Sequence, residues 1–404
     1  MSIISKRPDV NDTDREIRTD LVARATALVP LLRKNARKAE DDRRLPEENI
    51  DALEQAGLFR LTQPKRFGGS EADFRAKVEV IQELGRGCGS TAFVTGQITC
   101  GSWFIGMWND RVQADVWGSN PDARIAGVIA PTGTAEIVKG GYRVSGRWAY
   151  CSGSLHAHWL FLGVPIVDQD GQPVDMRVVL LPAADVVIED TWHVAGMKGT
   201  GSNTVVAHEV FVPEHRSTSM GKLMMGEYDN RHPGETLYQV PVTSAVITDL
   251  AGPQLGLARA AMELVIEQAS TRGVTHTEYD LQTNAPTVQL ALAKAATLID
   301  AAELLAYRAA DEVDEAGRLN IFPDYLTRAR NKMRVSQAIV NARDAIRELV
   351  SAHGAASFAE SNPLQRIWRD SEVASRHAVA NPAINALVYG RALLGITDGV
   401  TTMV

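Results

Sequence analysis

The chain has 404 residues, 45% of them hydrophobic and 23% charged, and its formal net charge is −7 at neutral pH. This length predicts two or three packed domains rather than one core. The acidic balance excludes a protein that grips nucleic-acid phosphates, and no apolar run is long enough to span a membrane.

The N-terminal part of the chain is predicted to be mainly helical. Residues 1–18 are expected to form a polar, flexible arm, followed by a helical domain over 19–123. Apolar residues recur at helical spacing from Asp20 to Ala36 and again from Phe74 to Gly85. The segment from Ser90 to Trp108 is apolar on nearly every side, which predicts a buried helix.

The central part, residues 124–215, is rich in valine, isoleucine, threonine and glycine. Short alternating runs such as Tyr142–Val144 and Val178–Leu181 are separated by turn signals, among them Gly140–Gly141 and Asp168–Gly171. This pattern predicts an antiparallel β domain.

From residue 216 to 404 the pattern is helical again. Four long segments rich in alanine and leucine predict a C-terminal four-helix bundle, and they are Ala251–Thr271, Thr287–Gly317, Pro323–Gly354 and Asp370–Gly395. The predicted fold is therefore mainly α, with a central β domain between two helical domains.

Common nucleotide and metal motifs do not account for this chain. The glycine-rich run from Gly85 to Gly89 follows a helix and lacks the spacing of a dinucleotide loop, so it predicts a helix-to-helix turn. His156 and His158 have no third ligand in the sequence, so no metal site is predicted. Three cysteines without a CxxC pair, and an N-terminus without a signal-peptide pattern, predict a cytoplasmic protein with reduced thiols.

Four segments, taken together and in order, resemble one family. They are Leu45–Gly69, Gly146–Gly153 with Ala157–Trp159, Asp190–Asn203 ending in Val210–Pro213, and Asn362–Asp370 followed by His377 and Tyr389–Arg391. The set is similar to the acyl-CoA dehydrogenase superfamily, and most similar to its branch of two-component flavin-dependent monooxygenases. The resemblance extends from about residue 20 to residue 395.

The resemblance implies an acyl-CoA dehydrogenase-like fold and the oxygenase component of a two-component system. Reduced flavin, as FADH2 or FMNH2, would react with O2 to form a C4a-hydroperoxide that hydroxylates an aromatic, polycyclic or heteroaromatic small molecule. A separate NAD(P)H:flavin reductase would supply the reduced flavin, and the oxygenase would be a homotetramer. An N- or S-oxygenase of the same fold is an alternative.

An acyl-CoA dehydrogenase-type flavoenzyme is the other alternative. Those enzymes place a catalytic glutamate about nine residues after the pair that matches Arg369-Asp370, and that position here is Ala378. Alanine cannot act as a general base. Asp249 lies near an alternative base position of the family but is out of register.

The catalytic residues implied by the resemblance are His377 and Ser152. His377 would either remove a proton from a phenol-like acceptor or hold the hydroperoxide by a hydrogen bond; its alternative is a structural histidine on a bundle helix. Ser152 would donate a hydrogen bond to the flavin N5, and its alternative is a simple turn residue.

A larger set of residues is implied to bind the flavin. Tyr150 would pack at the isoalloxazine ring, and Arg272 would reach the flavin phosphate of a neighbouring subunit, because a guanidinium suits phosphate geometry. An ordinary surface arginine is the alternative for Arg272. The full set is Tyr150, Cys151, Ser152, Thr200, Gly201, Ser202, Arg272 and Trp368.

The predicted substrate-binding residues are Gly101, Trp103, Arg259 and His377. Several aromatic hydroxylases of this branch carry a histidine just before a tryptophan, and here Gly101 stands in the matching run before Trp103. We expect the smaller residue to leave a larger, less basic site that accepts a bulkier substrate. Arg259 would line the pocket or form an ordinary charge on a helix face.

Overall fold

The computed structural model describes residues 12–167, 172–401 and 403–404. The turn predicted at 168–171, and residues 1–11 of the predicted arm, lie outside the described residues. The arm prediction is wrong over residues 12–18, because the first helix begins at Asp12. Ile17 packs against the N-terminal core there, and Arg18 forms an ion pair with Asp73 at 3.5 Å. These contacts hold a segment that looked merely polar in sequence.

The N-terminal domain consists of helices. They are α1 (Asp12–Asp42), α2 (Glu47–Gln55), α3 (Phe74–Gly87), α4 (Gly89–Gly106) and α5 (Asp110–Trp117). Only Cys88 separates α3 from α4, so the glycine-rich run is a helix-to-helix turn as predicted. Every residue of α4 except Gln97 is buried, which confirms the prediction of a buried helix.

A mixed sheet forms the central domain. Its strands are β1 (Ile125–Val128), β2 (Gly133–Val138), β3 (Gly141–Trp148), β4 (Trp159–Val167), β5 (Pro173–Pro182), β6 (Val187–Glu189), β7 (Thr204–Pro213) and β8 (Ser217–Ser219). The order is β6-β7-β3-β2-β4-β5-β8, with β1 beside β4. Most neighbours are antiparallel, but β4 pairs in parallel with β1 and β2. The expectation of a purely antiparallel sheet is therefore corrected.

The β domain also extends past the predicted boundary at residue 215. Strand β8 pairs with β5 through Arg177–Ser219 and Val179–Ser217. Three consecutive polar residues, Ser-Thr-Ser, carry no alternating apolar pattern, so a strand this short leaves no periodic signal in the sequence.

Helices form the C-terminal domain. They are α6 (Met220–Met224), α7 (Val242–Thr248), α8 (Ala251–Ala269), α9 (Pro286–Leu319), α10 (Tyr325–His353), α11 (Pro363–Ala374) and α12 (Pro382–Leu393). Three of the four predicted long helices are present as α8, α9 and α10. The fourth is divided into α11 and α12 by a connection that contains His377. Asn381 caps α12 and Pro382 occupies its first turn, and proline is tolerated there but not inside a helix.

One apolar core joins the three domains. Phe104 of α4 packs against Phe161 of β4 with ring centroids 5.0 Å apart. The same cluster continues to Leu257 of α8 and Ile346 of α10. Helix α4 is thus a shared wall for the sheet and the bundle. A mainly α fold with a central sheet is confirmed.

Within the described ranges, no helix combines the length and the apolar character that crossing a bilayer demands.

Candidate active site

The loop that follows β3 presents an aromatic ring to solvent. Tyr150 has a left-handed backbone (φ 63°), which is uncommon for a bulky residue, and its side chain is 72% exposed. Its ring meets Trp192 edge to face, with centroids 5.9 Å apart. Backbone strain at an exposed aromatic residue that packs on a half-buried tryptophan is typical of a site that binds a ligand.

Cys151, the next residue, is fully buried, and its backbone N–H donates to the Asn203 carbonyl at 3.1 Å. Burial raises the pKa of its thiol to about 12. The thiol is therefore unreactive, and this residue acts by anchoring the loop beneath the Tyr150 ring.

Three hydroxyl groups form a chain below this loop. Ser152 Oγ lies 2.6 Å from Ser202 Oγ, Ser202 Oγ lies 2.7 Å from Thr200 Oγ1, and Thr200 Oγ1 donates to the Met197 carbonyl at 2.8 Å. Because the Thr200 hydroxyl donates its proton to a carbonyl, it can only accept from Ser202. Ser202 must therefore donate to Thr200, and Ser152 must donate to Ser202. Because its proton is donated to Ser202, the Ser152 hydroxyl can only accept a hydrogen bond from a further partner.

Glycine is required at the turn that carries this chain. Gly201 has φ 51°, and a Cβ there would lie 2.6 Å from Leu155 Cδ1. A side chain at this position would push the loop away from Leu155, so Gly201 permits the close approach of the two loops.

Sequence reasoning did not single out Trp192, although this residue lies within the third motif segment. Its indole N–H donates to the Met197 carbonyl at 2.9 Å, and its backbone N–H donates to Asn203 Oδ1 at 2.9 Å. The Met197 carbonyl thus accepts from both Trp192 and Thr200. The one feature of the sequence that could have pointed to Trp192 is its position five residues before Met197 in the same motif segment.

The Arg369-Asp370 pair ties the sheet to the bundle. The backbone N–H of Met197 donates to Asp370, and Arg369 donates to the Ala195 carbonyl. A Cβ at Gly196 would lie 2.2 Å from the Arg369 carbonyl oxygen, so glycine is required at this contact. Burial raises the pKa of Asp370 to about 6. The motif thus fixes the Met197 end of the hydroxyl chain.

His377 lies in the connection between α11 and α12 and faces α4. Its ring centroid is 6.3 Å from that of Phe93. Its Nδ1 accepts from the backbone N–H of Val379 at 3.4 Å, and burial lowers the pKa of the imidazole. A neutral ring that accepts at Nδ1 carries its proton on Nε2. The prediction that His377 lies on a regular bundle helix is corrected by this position.

No free carboxylate occupies the positions where a dehydrogenase base would be sought. Ala378 begins a short 3-10 helix (Ala378–Ala380). Asp249 is buried against Lys77, with Oδ1 and Nζ 2.7 Å apart though not aligned as a hydrogen bond. Burial raises the pKa of Asp249. This pair is enclosed in the core between α3 and α7.

Arg272 and Trp368 lie at another part of the bundle. The Arg272 guanidinium contacts the imidazole of His353 and pairs with no carboxylate among the described residues. Burial and the Arg272 charge lower the pKa of His353. Trp368 of α11 meets Phe358 edge to face at 5.4 Å. Arg272 is therefore a cation without an anion, as a phosphate-binding residue would be.

Three of the four predicted substrate-binding residues make contacts within the protein instead of lining a pocket. A Cβ at Gly101 would lie 2.4 Å from the Ile125 carbonyl oxygen, so β1 fills the space that we expected to be free. Trp103 is fully buried, and its indole N–H donates to the Leu237 carbonyl at 2.9 Å. Arg259 is bound to Glu303 of α9, with Nη2 and Oε2 2.8 Å apart. These placements correct the prediction of an enlarged pocket at Gly101.

His156 and His158 have structural roles in the loop before β4. His156 ends a 3-10 turn (Ser154–His156), and burial lowers its pKa to about 4. His158 Nδ1 accepts from the backbone N–H of Arg124 at 3.0 Å. In the part of the chain that the structure describes, no group of three potential ligands is suited to a metal ion.

Comparisons with known proteins agree with this architecture. Residues 13–117 match the family model described as Acyl-CoA dehydrogenase, N-terminal domain, and residues 249–382 match Acyl-CoA dehydrogenase, C-terminal domain. The chain is 36% identical to the oxygenase subunit HsaA of a flavin-dependent monooxygenase from Rhodococcus jostii (strain RHA1), over 93% of this chain and 99% of that protein.

Two further similarities extend over almost the whole length. The oxygenase component of an FADH2-dependent resorcinol hydroxylase from Rhizobium sp. (strain MTP-10005) is 33% identical over 98% of both chains. The solved structure of XiaF from Streptomyces sp., in complex with FADH2 and glycerol, superposes with a TM-score of 0.91 at 37% identity, over 96% of this chain and 98% of that one.

Proposed function

Because the chain belongs to the acyl-CoA dehydrogenase family and is an oxygenase component of the two-component flavin-dependent monooxygenases within it, we propose that Ser152, Ser202 and His377 surround its reaction centre. The enzyme uses reduced flavin and O2 to hydroxylate an aromatic or heteroaromatic substrate. When bound, reduced flavin activates dioxygen so that one oxygen atom reaches the substrate. The hydroxyl chain is the observation that supports this placement of the site.

The residues around the hydroxyl chain suit a reduced flavin. The ring of reduced flavin carries an N–H at N5, and the Ser152 oxygen is left as an acceptor. Earlier we expected Ser152 to donate to N5; the direction of the chain favours acceptance instead. Tyr150 and Trp192 supply an aromatic edge for a planar ring. Cys151 and Gly201 are neighbours of Ser152 and Ser202 in the same two loops, so their backbone groups belong to the proposed flavin site.

We propose that Arg272 holds the phosphate end of the flavin of a neighbouring subunit and that Trp368 also contributes to the flavin site. Arginine without a carboxylate partner is suited to a phosphate because its planar donors match the phosphate oxygens. The resorcinol hydroxylase relative at 33% identity is FADH2-dependent and the XiaF structure at 37% identity contains FADH2, whereas the TdsC structures that contain FMN are only 21% identical, which supports FADH2 over FMNH2 here.

The proposed role of His377 is to donate a hydrogen bond through Nε2. The Val379 N–H occupies Nδ1, and burial lowers the pKa of the ring, so a neutral Nε2–H faces α4. Such a donor holds an oxygen atom in position without needing to remove a proton from the substrate. This favours the second of the two roles expected from the sequence.

Two partners are proposed. The names of the relatives describe oxygenase subunits or components, which supports a separate NAD(P)H:flavin reductase as the source of reduced flavin.

A homotetramer is supported by exposed apolar side chains on α9 and α12, whose opposite faces are already buried in the bundle. These exposed residues are Leu290, Leu304 and Leu319 on α9 and Ile384, Leu387 and Leu393 on α12. Three buried cysteines without disulfides support a cytoplasmic location.

Oxygen labelling tests the proposed chemistry. The purified chain, supplied with photoreduced FAD, is exposed to 18O2 with a panel of phenols, indoles and polycyclic aromatics, and separately the purified chain with oxidised FAD is given acyl-CoA thioesters; products are identified by mass spectrometry. We expect one labelled oxygen in at least one product. Desaturation of an acyl-CoA without label in any product would instead support a dehydrogenase.

A further inference from the structure

Gln97 differs from every other residue of α4. The helix contains no charged residue, and all of its residues are buried except Gln97, which is partly exposed. Its carboxamide makes no hydrogen bond to any of the described residues, whereas Thr95, Thr99 and Ser102 all bond to carbonyls of their own helix. The helix therefore borders open space at one polar position.

The contacts of neighbouring positions show which space this is. Phe93, one turn earlier, faces His377 with ring centroids 6.3 Å apart. Val94 and Ile98 face the loop that carries Ser152, since a Cβ at Gly153 would lie 3.5 Å from Cγ1 of both. On a helix with about 100° between residues, position 97 points between the directions of 93 and 94. Gln97 thus points between His377 and the loop of Ser152.

The walls on either side of this direction are apolar. Phe104, about three turns after Phe93, packs on Phe161, and Gly101 lies against the Ile125 backbone. Apart from the buried Ser90, whose Cβ would lie 3.0 Å from a Cβ at Gly199, the polar group that α4 contributes on this side is the Gln97 carboxamide. A carboxamide offers two donor hydrogens and one acceptor oxygen, so it recognises a hydroxyl, a ring N–H or a carbonyl.

We propose that Gln97 is a specificity-determining residue that hydrogen-bonds a neutral polar group on the aromatic substrate. This inference rests on the proposed function, and it names the substrate class as uncharged aromatics with a hydrogen-bonding edge. The substrate carboxylate of an aromatic acid has no cation on α4 to receive it, and Arg259 is held by Glu303. The position predicted from sequence, Gly101, is replaced by a residue one turn earlier on the same helix.

Matched ligand pairs provide the test. Affinities of 2-naphthol and naphthalene, and of indole and indene, are measured without oxygen for the full chain loaded with reduced FAD. Gln97→Met keeps the length of the side chain and removes its polar atoms. We expect it to weaken 2-naphthol and indole about 3- to 10-fold, with less than a twofold change for naphthalene and indene. We also expect 2-naphthoic acid to bind the wild type more weakly than 2-naphthol.

Thr99→Val is the control on the same helix, since the Thr99 hydroxyl already bonds to the Thr95 carbonyl; it should change none of the affinities. Equal weakening within each pair, or a wild type that binds 2-naphthol and indole no better than their partners, overturns the inference. Selective binding without labelled product would contradict the proposed oxygenase chemistry and leave the role of Gln97 intact, so the two failures are distinguishable.

Discussion

The hydroxyl oxygens of Ser152 and Ser202 lie 2.6 Å apart and join two loops that are 50 residues apart in the chain. Thr200 and the Met197 carbonyl fix the direction of this contact, because the last proton in the chain is committed to a carbonyl. Met197 is in turn bound by Asp370. A bundle residue thus influences how Ser152 presents its lone pairs.

Removal of the Ser152 hydroxyl should uncouple the reaction. We expect Ser152→Ala to lower product formed per O2 consumed roughly tenfold, with hydrogen peroxide making up the difference. Ser202→Ala should have a smaller effect, since Ser152 keeps its oxygen but loses its orientation. Product and peroxide are quantified in the same reaction. If the double variant shows the sum of two independent losses, the hydroxyl chain does not act as one unit.

Substitution of His377 distinguishes a donor from a base. His377→Gln keeps an N–H donor, whereas His377→Ala keeps none. With Nε2–H as donor, we expect product per O2 to fall roughly tenfold in the alanine variant and only a fewfold in the glutamine variant. Equal losses in both variants would indicate proton removal by the imidazole instead.

The pH profile provides a second readout of the same residue. Burial lowers the pKa of His377, so the ring is neutral at pH 7 and gains a proton only below the usual range of histidine. Because the imidazolium also donates through Nε2, a donor role predicts no loss of coupling on the acid side of that range, whereas a base role predicts an acid-side decline that His377→Gln lacks.

Asp370 should make stability depend on pH. Its pKa in the folded protein, about 6, lies above its ordinary value of 3.8, so the folded state binds the proton more tightly. The stabilisation is fully present below pH 3.8 and is lost as pH rises through 6. Asp370→Asn keeps an acceptor for Met197 and removes the titration. In urea unfolding, the free energy of unfolding of the variant minus that of the wild type should increase by roughly 2 to 3 kcal/mol from pH 4 to pH 8. A difference that does not change with pH would refute this.

Gly101 should not tolerate a side chain. The Ile125 carbonyl oxygen lies 2.4 Å from the position that a Cβ would take, so Gly101→Ala should cost about 1 to 3 kcal/mol of unfolding free energy. Gly390→Ala is the matched control, because a Cβ at Gly390 of α12 meets no atom within 4 Å. Thermal unfolding should separate the two. A Gly101→Ala variant as stable as the wild type would restore the idea of free volume there.

Arg272 should matter only to flavins that carry phosphate. Arg272→Ala is expected to weaken binding of FAD and FMN roughly tenfold and to leave riboflavin unchanged, since riboflavin lacks the phosphate. Arg308→Ala removes a surface arginine that is already paired with Glu312, and should change none of the three affinities. Equal loss for riboflavin would place Arg272 at the ring rather than at the phosphate.

The order of the domains and the loops around Ser152 and Ser202 could be predicted because short motifs report local structure. Residues whose role depends on distant packing could not. Gly101 looked like an opening because sequence does not show that β1 closes over it. The break that holds His377 was hidden within an alanine-rich helical pattern. Gln97 has no special neighbours in sequence, and only its exposure on a buried helix distinguishes it.

Helix α4 contacts the sheet through Phe104, the loop of Ser152 through Val94 and the bundle through Phe93, and it is connected to α3 of the N-terminal domain. A fragment that lacks any one of the three domains would therefore lose one side of the proposed reaction site. For protein engineers, residues 89–106 are a natural unit of exchange between related hydroxylases, since swapping them transfers the whole helix together with the Gln97 carboxamide.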